Sequence, residues 1–132
     1  MARRFGCEEP VMARILITDD QGSVRGFVRA ILEDAGHIIT EARNGREALL
    51  ALSRPHDLVI TDVMMPDMDG LELLRHIKAS ARNLPVLVIT GGWANKGVDL
   101  LSVVKSLGAD RALSKARLRT ELLPAVSSLL PP

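Results

Sequence analysis

The sequence predicts an α/β domain, a five-stranded parallel sheet covered by helices on both faces. Two observations carry that expectation. Short runs of strand length recur at 14–18, 37–42, 58–61, 85–90 and 111–114, and the stretches between them place apolar residues at helical spacing. The runs are also apolar on consecutive residues, as in Ile15-Leu16-Ile17, which suits strands buried on both faces. Right-handed crossovers leave few topologies for such an alternation.

Each element has its own warrant. Arg14 to Thr18 is a buried strand closed by Asp19-Asp20. Val24, Phe27, Val28, Ile31 and Leu32 mark a helix that Gly36 stops. His37 to Ala42 is the second strand. Asn44 caps a helix through Ala48, Leu49 and Leu52, which Pro55 ends. Leu58 to Thr61 is the third strand, and the helix after Gly70 carries Leu74, Ile77 and Ala81 on one stripe. Pro85 opens the fourth strand, where a missing donor is tolerated. Gly91-Gly92-Trp93 reads as a turn. Leu100, Val103, Val104 and Leu107 mark a fourth helix closed by Gly108, and Arg111 to Ser114 is a short fifth strand. Leu118, Leu122, Val126 and Leu130 mark the last helix, in which Pro124 is expected to introduce a kink.

The chain has 132 residues, the length of one domain. Residues 1–13 read as a flexible tail and 14–130 as the folded domain. A net charge of +1 and an aromatic content of 2% argue against direct nucleic-acid binding. No apolar run approaches the roughly 18 residues of a membrane span. The tail has arginines but no apolar core of a signal peptide, and Cys7 is the only cysteine. These features predict a reducing, cytoplasmic setting.

In open parallel sheets ligands sit beyond the carboxyl ends of the strands. This sequence puts Asp19-Asp20, Asp62, Thr90-Gly91-Gly92 and Ser114-Lys115 there. Clustered carboxylates repel one another, and a hard divalent cation such as Mg²⁺ resolves that repulsion. A lysine and a cation flanking one carboxylate suit a phosphoryl group, with Asp62 as nucleophile, Thr90 as hydrogen-bond donor and the glycines allowing close approach. Pro66 and Gly70 shape the turn behind Asp62.

These residues carry a resemblance. The segments ILITDD, DLVITDVMMPDMDG, VLVITGG and LGADRALSK, in that order, resemble the receiver domain of two-component response regulators over about residues 14 to 130. The resemblance implies a flavodoxin-like doubly wound fold with sheet order 2-1-3-4-5. It implies phosphorylation of Asp62 by a histidine kinase or histidine phosphotransfer protein, using Mg²⁺ or Mn²⁺. It implies Asp20, Asp62 and the backbone carbonyl of Met64 as direct metal ligands, Asp19 as a ligand through water, Thr90 as the switch hydroxyl and Lys115 as the phosphate-pairing residue. Downstream partners would be effector proteins, or a second copy in a phosphorylation-linked homodimer. The expected role is phosphorelay signalling rather than enzymatic turnover of a substrate, beyond self-phosphorylation from small donors and slow loss of the phosphate. Met64 and Gly92 flank the expected water path without a side-chain hydrogen bond, which predicts a long-lived aspartyl phosphate.

Two positions depart from the family pattern. Ala116 follows the lysine where proline is usual, and Ala112 stands where an aromatic usually couples to the threonine. They motivate an alternative, a pseudo-receiver that binds proteins without phosphorylation; the intact acid cluster argues against it. A phosphohydrolase with an aspartate nucleophile would need a second acid where Met64 stands. Asp19-Asp20 as a capping pair, Asp67 and Asp69 as turn and cap residues, the three histidines as structural or surface groups and Arg111, Arg117 and Arg119 as a solvated face are the plain readings. Trp93 reads either as a rim of the site or as a docking residue.

Overall fold

Consecutive apolar residues leave a strand no polar face, so both sides must be covered. The computed structural model shows how this is done, and it describes residues 12–65, 68–80, 83–91 and 100–131. The strands are β1 (Arg14–Thr18), β2 (Ile38–Ala42), β3 (Leu58–Asp62), β4 (Val86–Thr90) and β5 (Arg111–Ser114). The helices are α1 (Gly22–Asp34), α2 (Gly45–Ala51), α3 (Gly70–Ser80), α4 (Leu100–Ser106) and α5 (Leu118–Leu129). All strand pairs are parallel and the order is β2-β1-β3-β4-β5. The expected topology is therefore the observed one. Every residue of β3 and β4 is buried, whereas the edge strands β2 and β5 are partly exposed.

Alternation along each strand divides the core. Ile15, Ile17, Leu58, Ile60, Leu87 and Ile89 meet α1 and α5 through Val28, Leu32, Leu122 and Val126. Leu16, Val59, Val86 and Val88 face the other way, against Ala48, Leu73, Leu74, Ile77 and Val104 from α2, α3 and α4.

The helix ends follow local chemistry. Asn44 accepts a hydrogen bond from the Glu47 amide at 2.9 Å, and Glu47 reaches back to the Arg43 amide at 2.8 Å. Asp69 caps α3 through the Glu72 amide at 2.9 Å. Gly36 and Gly108, after α1 and α4, have φ of +99° and +113°, which side-chain-bearing residues rarely adopt. α5 continues through Pro124 without ending.

The boundaries shift by one residue in three places. β2 begins after His37, because the His37 ring turns to the Ala13 amide, and β4 begins after Pro85, which has no amide to donate. β3 extends through Asp62, which pairs in register with Ile89. Ala13, just before β1, is buried. Cys7, Pro66, Asp67, Ala81, Gly92 and Trp93, and the side chains of Leu100 and Val103, lie outside the described residues. Among the described residues no helix is long and apolar enough to cross a membrane.

His37 supplies a pH-dependent part of this frame. Its Nδ1 accepts the Ala13 amide at 3.1 Å, while Ala13 O accepts the Ile38 amide at 2.9 Å. The first bond needs an unprotonated Nδ1, and burial holds the ring below its ordinary pKa of 6.5. Below pH 6.5 the unfolded chain takes up the proton first, so stability is full above that value and falls as pH drops through the folded pKa. Urea midpoints measured from pH 7.5 to 5.5 are expected to fall more steeply for the wild type than for His37→Phe. Parallel slopes would show that His37 titrates alike in both states.

Candidate functional site

A parallel sheet brings all strand carboxyl ends to one edge, and the strand order then decides which tips are neighbours. β3 lies between β1 and β4, and β5 flanks β4. Asp19 directly follows β1, Asp62 ends β3, Thr90 ends β4 in register with Ser114 of β5, and Lys115 comes next.

The side chains converge. Asp19, Asp20 and Asp62 each offer a carboxylate oxygen within 4.8 Å of the others. Lys115 Nζ lies 3.2 Å from Asp19 Oδ2 and 3.3 Å from Asp62 Oδ2. It also donates to Gln21 Oε1 at 3.4 Å. The Val63 amide donates to Asp62 Oδ1 at 2.8 Å, and the Gln21 amide to Asp19 Oδ1 at 2.8 Å. Gln21, with no side-chain cap, is the N-cap of α1, so the acidic pair does not serve as that cap. A pocket of about 220 Å³ is lined by Asp20, Gln21, Asp62, Met64, Gly91 and Lys115, with Val63 completing the wall. Thr90 is buried beside Gly91 and is not on that wall.

The electrostatics are unfavourable to a bare carboxylate. Asp62 is 6% exposed and Asp19 fully buried. Burial, and then the charge of Asp19, push the Asp62 carboxyl above its ordinary pKa, although Lys115 and the Val63 amide pull it down. Burial is also the largest single influence on Lys115 and opposes its charge, yet Asp62 and Asp19 together hold it above the ordinary lysine value. Asp19 Oδ2 is buried and, despite the nearby ammonium, receives no hydrogen bond.

That orphaned oxygen tests whether the residues fit a divalent cation. Three carboxylates face one ammonium, the donors are all hard oxygens, and one buried oxygen, ion-paired to Lys115, receives no hydrogen bond. This donor set suits Mg²⁺ or Mn²⁺.

The segment after Asp62 is folded back tightly. The Gly70 amide donates to Val63 O at 2.8 Å, and a Cβ on Gly70 would lie 1.9 Å from the Asp62 carbonyl oxygen. At the start of α2 the Gly45 amide donates to Met68 O at 3.2 Å, and a Cβ there would lie 2.6 Å from that oxygen. Met64, 55% exposed, is left at the pocket mouth.

Outside the pocket, His56 contacts Arg54 O and Thr40 Oγ1. Arg117 pairs with Glu121, Arg111 donates to Ser128, and Arg119 stands 5.9 Å over the Phe27 ring. Sequence reasoning missed Gln21, Gly45 and the Ser114 hydroxyl, which accepts the Ala116 amide at 3.2 Å. Gln21 had one signal, its place directly after the acidic pair; the Gly45 contact joins segments far apart in sequence and had none. Among the described residues there is no cis peptide, so Lys115-Ala116 is trans. Ala112 packs at the edge of the second core cluster, where it presents no aromatic ring.

Fold and site together define an open doubly wound α/β domain with an acidic pocket and a lysine at its topological edge. The chain belongs to the response regulator receiver domain family, whose model matches residues 15–127. It is 40% identical over 119 residues to the response regulator MprA of Mycolicibacterium vanbaalenii, covering 89% of this chain and 50% of that protein. It is 35% identical over 122 residues to the virulence transcriptional regulatory protein PhoP of Salmonella typhimurium, covering 90% and 52%. The chain thus spans about half the length of these curated relatives. Among solved structures it resembles response regulator protein TrrA of Thermotoga maritima in complex with Mg²⁺-BeF, at 33% identity and a TM-score of 0.77 over 90% of this chain and 100% of that one. Chemotaxis protein CheY4 of Vibrio cholerae matches at 32% identity and a TM-score of 0.79, over 91% and 100%.

Proposed function

We propose that this receiver is a working phosphorylation switch of a two-component or phosphorelay system, with Asp62 as the phosphoacceptor. The carrying observation is the buried Asp62 carboxylate, 3.3 Å from Lys115 and opening on a pocket rimmed by Asp20. A phosphohistidine of a kinase or phosphotransfer protein is the donor: an Asp62 oxygen forms the new bond to phosphorus as the P–N bond breaks, and the imidazole leaves. The nucleophile is the ionised carboxylate, which has no proton to give up, so the step needs no general base. Lys115 then pairs with the phosphoryl charge, and the Thr90 hydroxyl, which lies buried off the pocket wall, turns into the pocket to donate to a phosphoryl oxygen. Asp20, Asp62 and the Met64 carbonyl would hold Mg²⁺ or Mn²⁺ directly, with Asp19 acting through water. Such an ion supplies charge neutralisation for the incoming phosphoryl group.

The readout is a change of protein contacts, with an effector or with a second copy of the chain, in the cytoplasm. Nucleic-acid contact is not placed on this domain, whose net charge is +1. Ala112 gives Thr90 no aromatic ring to couple to, so the output face responds through other groups. The pseudo-receiver alternative is disfavoured by the acid cluster, which costs stability unless it has a cationic ligand.

Intact-protein mass spectrometry after incubation with acetyl phosphate tests the reading. One phosphate added only with Mg²⁺ is expected; a folded protein that takes up none, from acetyl phosphate or from a histidine kinase, sinks it. Metal linkage is a separate expectation. At a free Mg²⁺ concentration about 100 times Kd, the folded state gains about 2.7 kcal/mol, seen as a rise in Tm that EDTA reverses. Asp20→Asn is expected to remove most of that rise, and an undiminished rise would place the ion elsewhere.

A further inference from the structure

We infer that Ser114 is a positioning residue for Lys115, its hydroxyl accepting the Ala116 amide and so fixing the turn from which the lysine reaches Asp19 and Asp62. The consequence for phosphate uptake rests on the reading of Asp62 as acceptor; the positioning itself does not.

Lysine is a long, freely rotating side chain, so where its ammonium lies depends on how firmly its backbone is held. Ser114 is the last residue of β5 and pairs in register with Thr90, so its own backbone is fixed by the sheet. Lys115 to Arg117 form a single 3₁₀ turn, closed by the Leu118 amide donating to Lys115 O, and a run that short is held only weakly by its own bonding. Ser114 is the N-cap of that turn, with extended backbone at φ −78° and ψ 139°. Its Oγ accepts the Ala116 N–H at 3.2 Å, tying the strand end to the turn across Lys115. Above this anchor the lysine stem runs beside Gly91, where a Cβ would lie 3.3 Å from Lys115 Cδ. The ammonium then arrives 3.2 Å from Asp19, 3.3 Å from Asp62 and 3.4 Å from Gln21.

The bond exists because residue 116 has an amide hydrogen. Proline, the residue the family pattern favours after the lysine, has none and restricts the backbone through its ring instead. This chain has alanine there and supplies the restriction with a hydroxyl.

The test uses Ser114→Ala, Ser114→Thr, Ala116→Pro and the double variant Ser114→Ala/Ala116→Pro. Two readouts are the rate of phosphate uptake from acetyl phosphate at fixed Mg²⁺ and Mg²⁺ affinity by calorimetry. The third, the Lys115 Hε–Cε cross-peak in ¹H–¹³C NMR spectra, needs no phosphate. Ser114→Ala is expected to slow uptake about fivefold, the equivalent of one ordinary hydrogen bond. It should leave Mg²⁺ affinity within about twofold, because Lys115 is not a ligand. The Lys115 cross-peak should shift, and Ser114→Thr, which keeps an acceptor oxygen, should restore rate and shift. In the Ala116→Pro background Ser114→Ala should change neither, since the donor is already gone. The inference is overturned if Ser114→Ala leaves the cross-peak in place. It is equally overturned if the effect persists in the proline background, or if rate and Mg²⁺ affinity fall together without rescue by threonine. A wild type that takes up no phosphate removes the phosphoacceptor reading alone, and the cross-peak comparison still decides the positioning.

Discussion

Asp62→Asn is expected to add no phosphate from acetyl phosphate and, without Mg²⁺, to melt no lower than the wild type. The first half follows from chemistry, since an amide lacks the carboxylate oxygen that bonds to phosphorus. The second follows from the surroundings. Burial and the Asp19 charge raise the Asp62 pKa above its ordinary 3.8, so the folded protein disfavours the ionised form. An acid with a raised folded pKa contributes stability below pH 3.8 and loses that contribution as pH climbs through the folded value. Above the folded value the whole penalty is present, and asparagine removes it while keeping shape and the acceptor for the Val63 amide. Lys115 loses one partner but keeps Asp19 at 3.2 Å. The difference in Tm between variant and wild type should therefore grow from pH 4 to pH 7 and shrink when Mg²⁺ is added. A phosphate found on another residue of the variant would overturn the acceptor assignment. A variant melting well below wild type at pH 7 would show that the Asp62–Lys115 pair outweighs the burial cost.

Legibility in the sequence divides along a physical line. The strands were readable because β1, β3 and β4 are buried on both faces and so must be apolar on consecutive residues. Helix starts and stops at Asn44, Gly36 and Gly108 were readable because they rest on neighbours in the chain. The carboxylates and the lysine were readable as a site because parallel topology forces strand tips together. What escaped depends on contacts between distant segments. Nothing about Gly45 in sequence says that the Met68 carbonyl will lie against it, and the reach of Lys115 to Gln21 needs the β1–β3–β4–β5 spacing. Asp62 was placed just beyond its strand, but its backbone pairs with Ile89, which holds the carboxylate rigidly at the tip. The Ser114 hydroxyl escaped for a different reason. Its acceptor role comes from the residue at 116, where in sequence alanine shows only the absence of the usual proline and not the amide hydrogen it makes available.

Gly70→Ala should be among the most damaging single-methyl additions in the molecule, and its mechanism separates structural from functional roles of the turn behind Asp62. The Gly70 amide is tied to Val63 O at 2.8 Å, which draws α3 against the end of β3. A Cβ at residue 70 would fall 1.9 Å from the Asp62 carbonyl oxygen and 2.9 Å from both the Asp62 carbonyl carbon and the Val63 Cα. All three atoms are backbone, so no rotamer change relieves the overlap; the turn or the strand end must move. A loss of about 3 kcal/mol is expected in denaturant titrations. Gly26→Ala is the control: nothing lies within 4 Å of its Cβ inside α1, so it should gain up to about 1 kcal/mol from helix propensity. Displacing the Asp62 carbonyl also moves the Val63 amide, which orients Asp62 Oδ1 at 2.8 Å. Phosphate uptake by the folded fraction of Gly70→Ala should therefore fall more than tenfold, and Mg²⁺ should raise its Tm less than it raises that of wild type. Lost stability with unchanged uptake would assign the turn to folding alone, with the carboxylate held by β3 and the sheet. Unchanged stability would mean that α3 shifts as a body to make room, and the drop in uptake would then measure how closely the helix start is coupled to the acceptor.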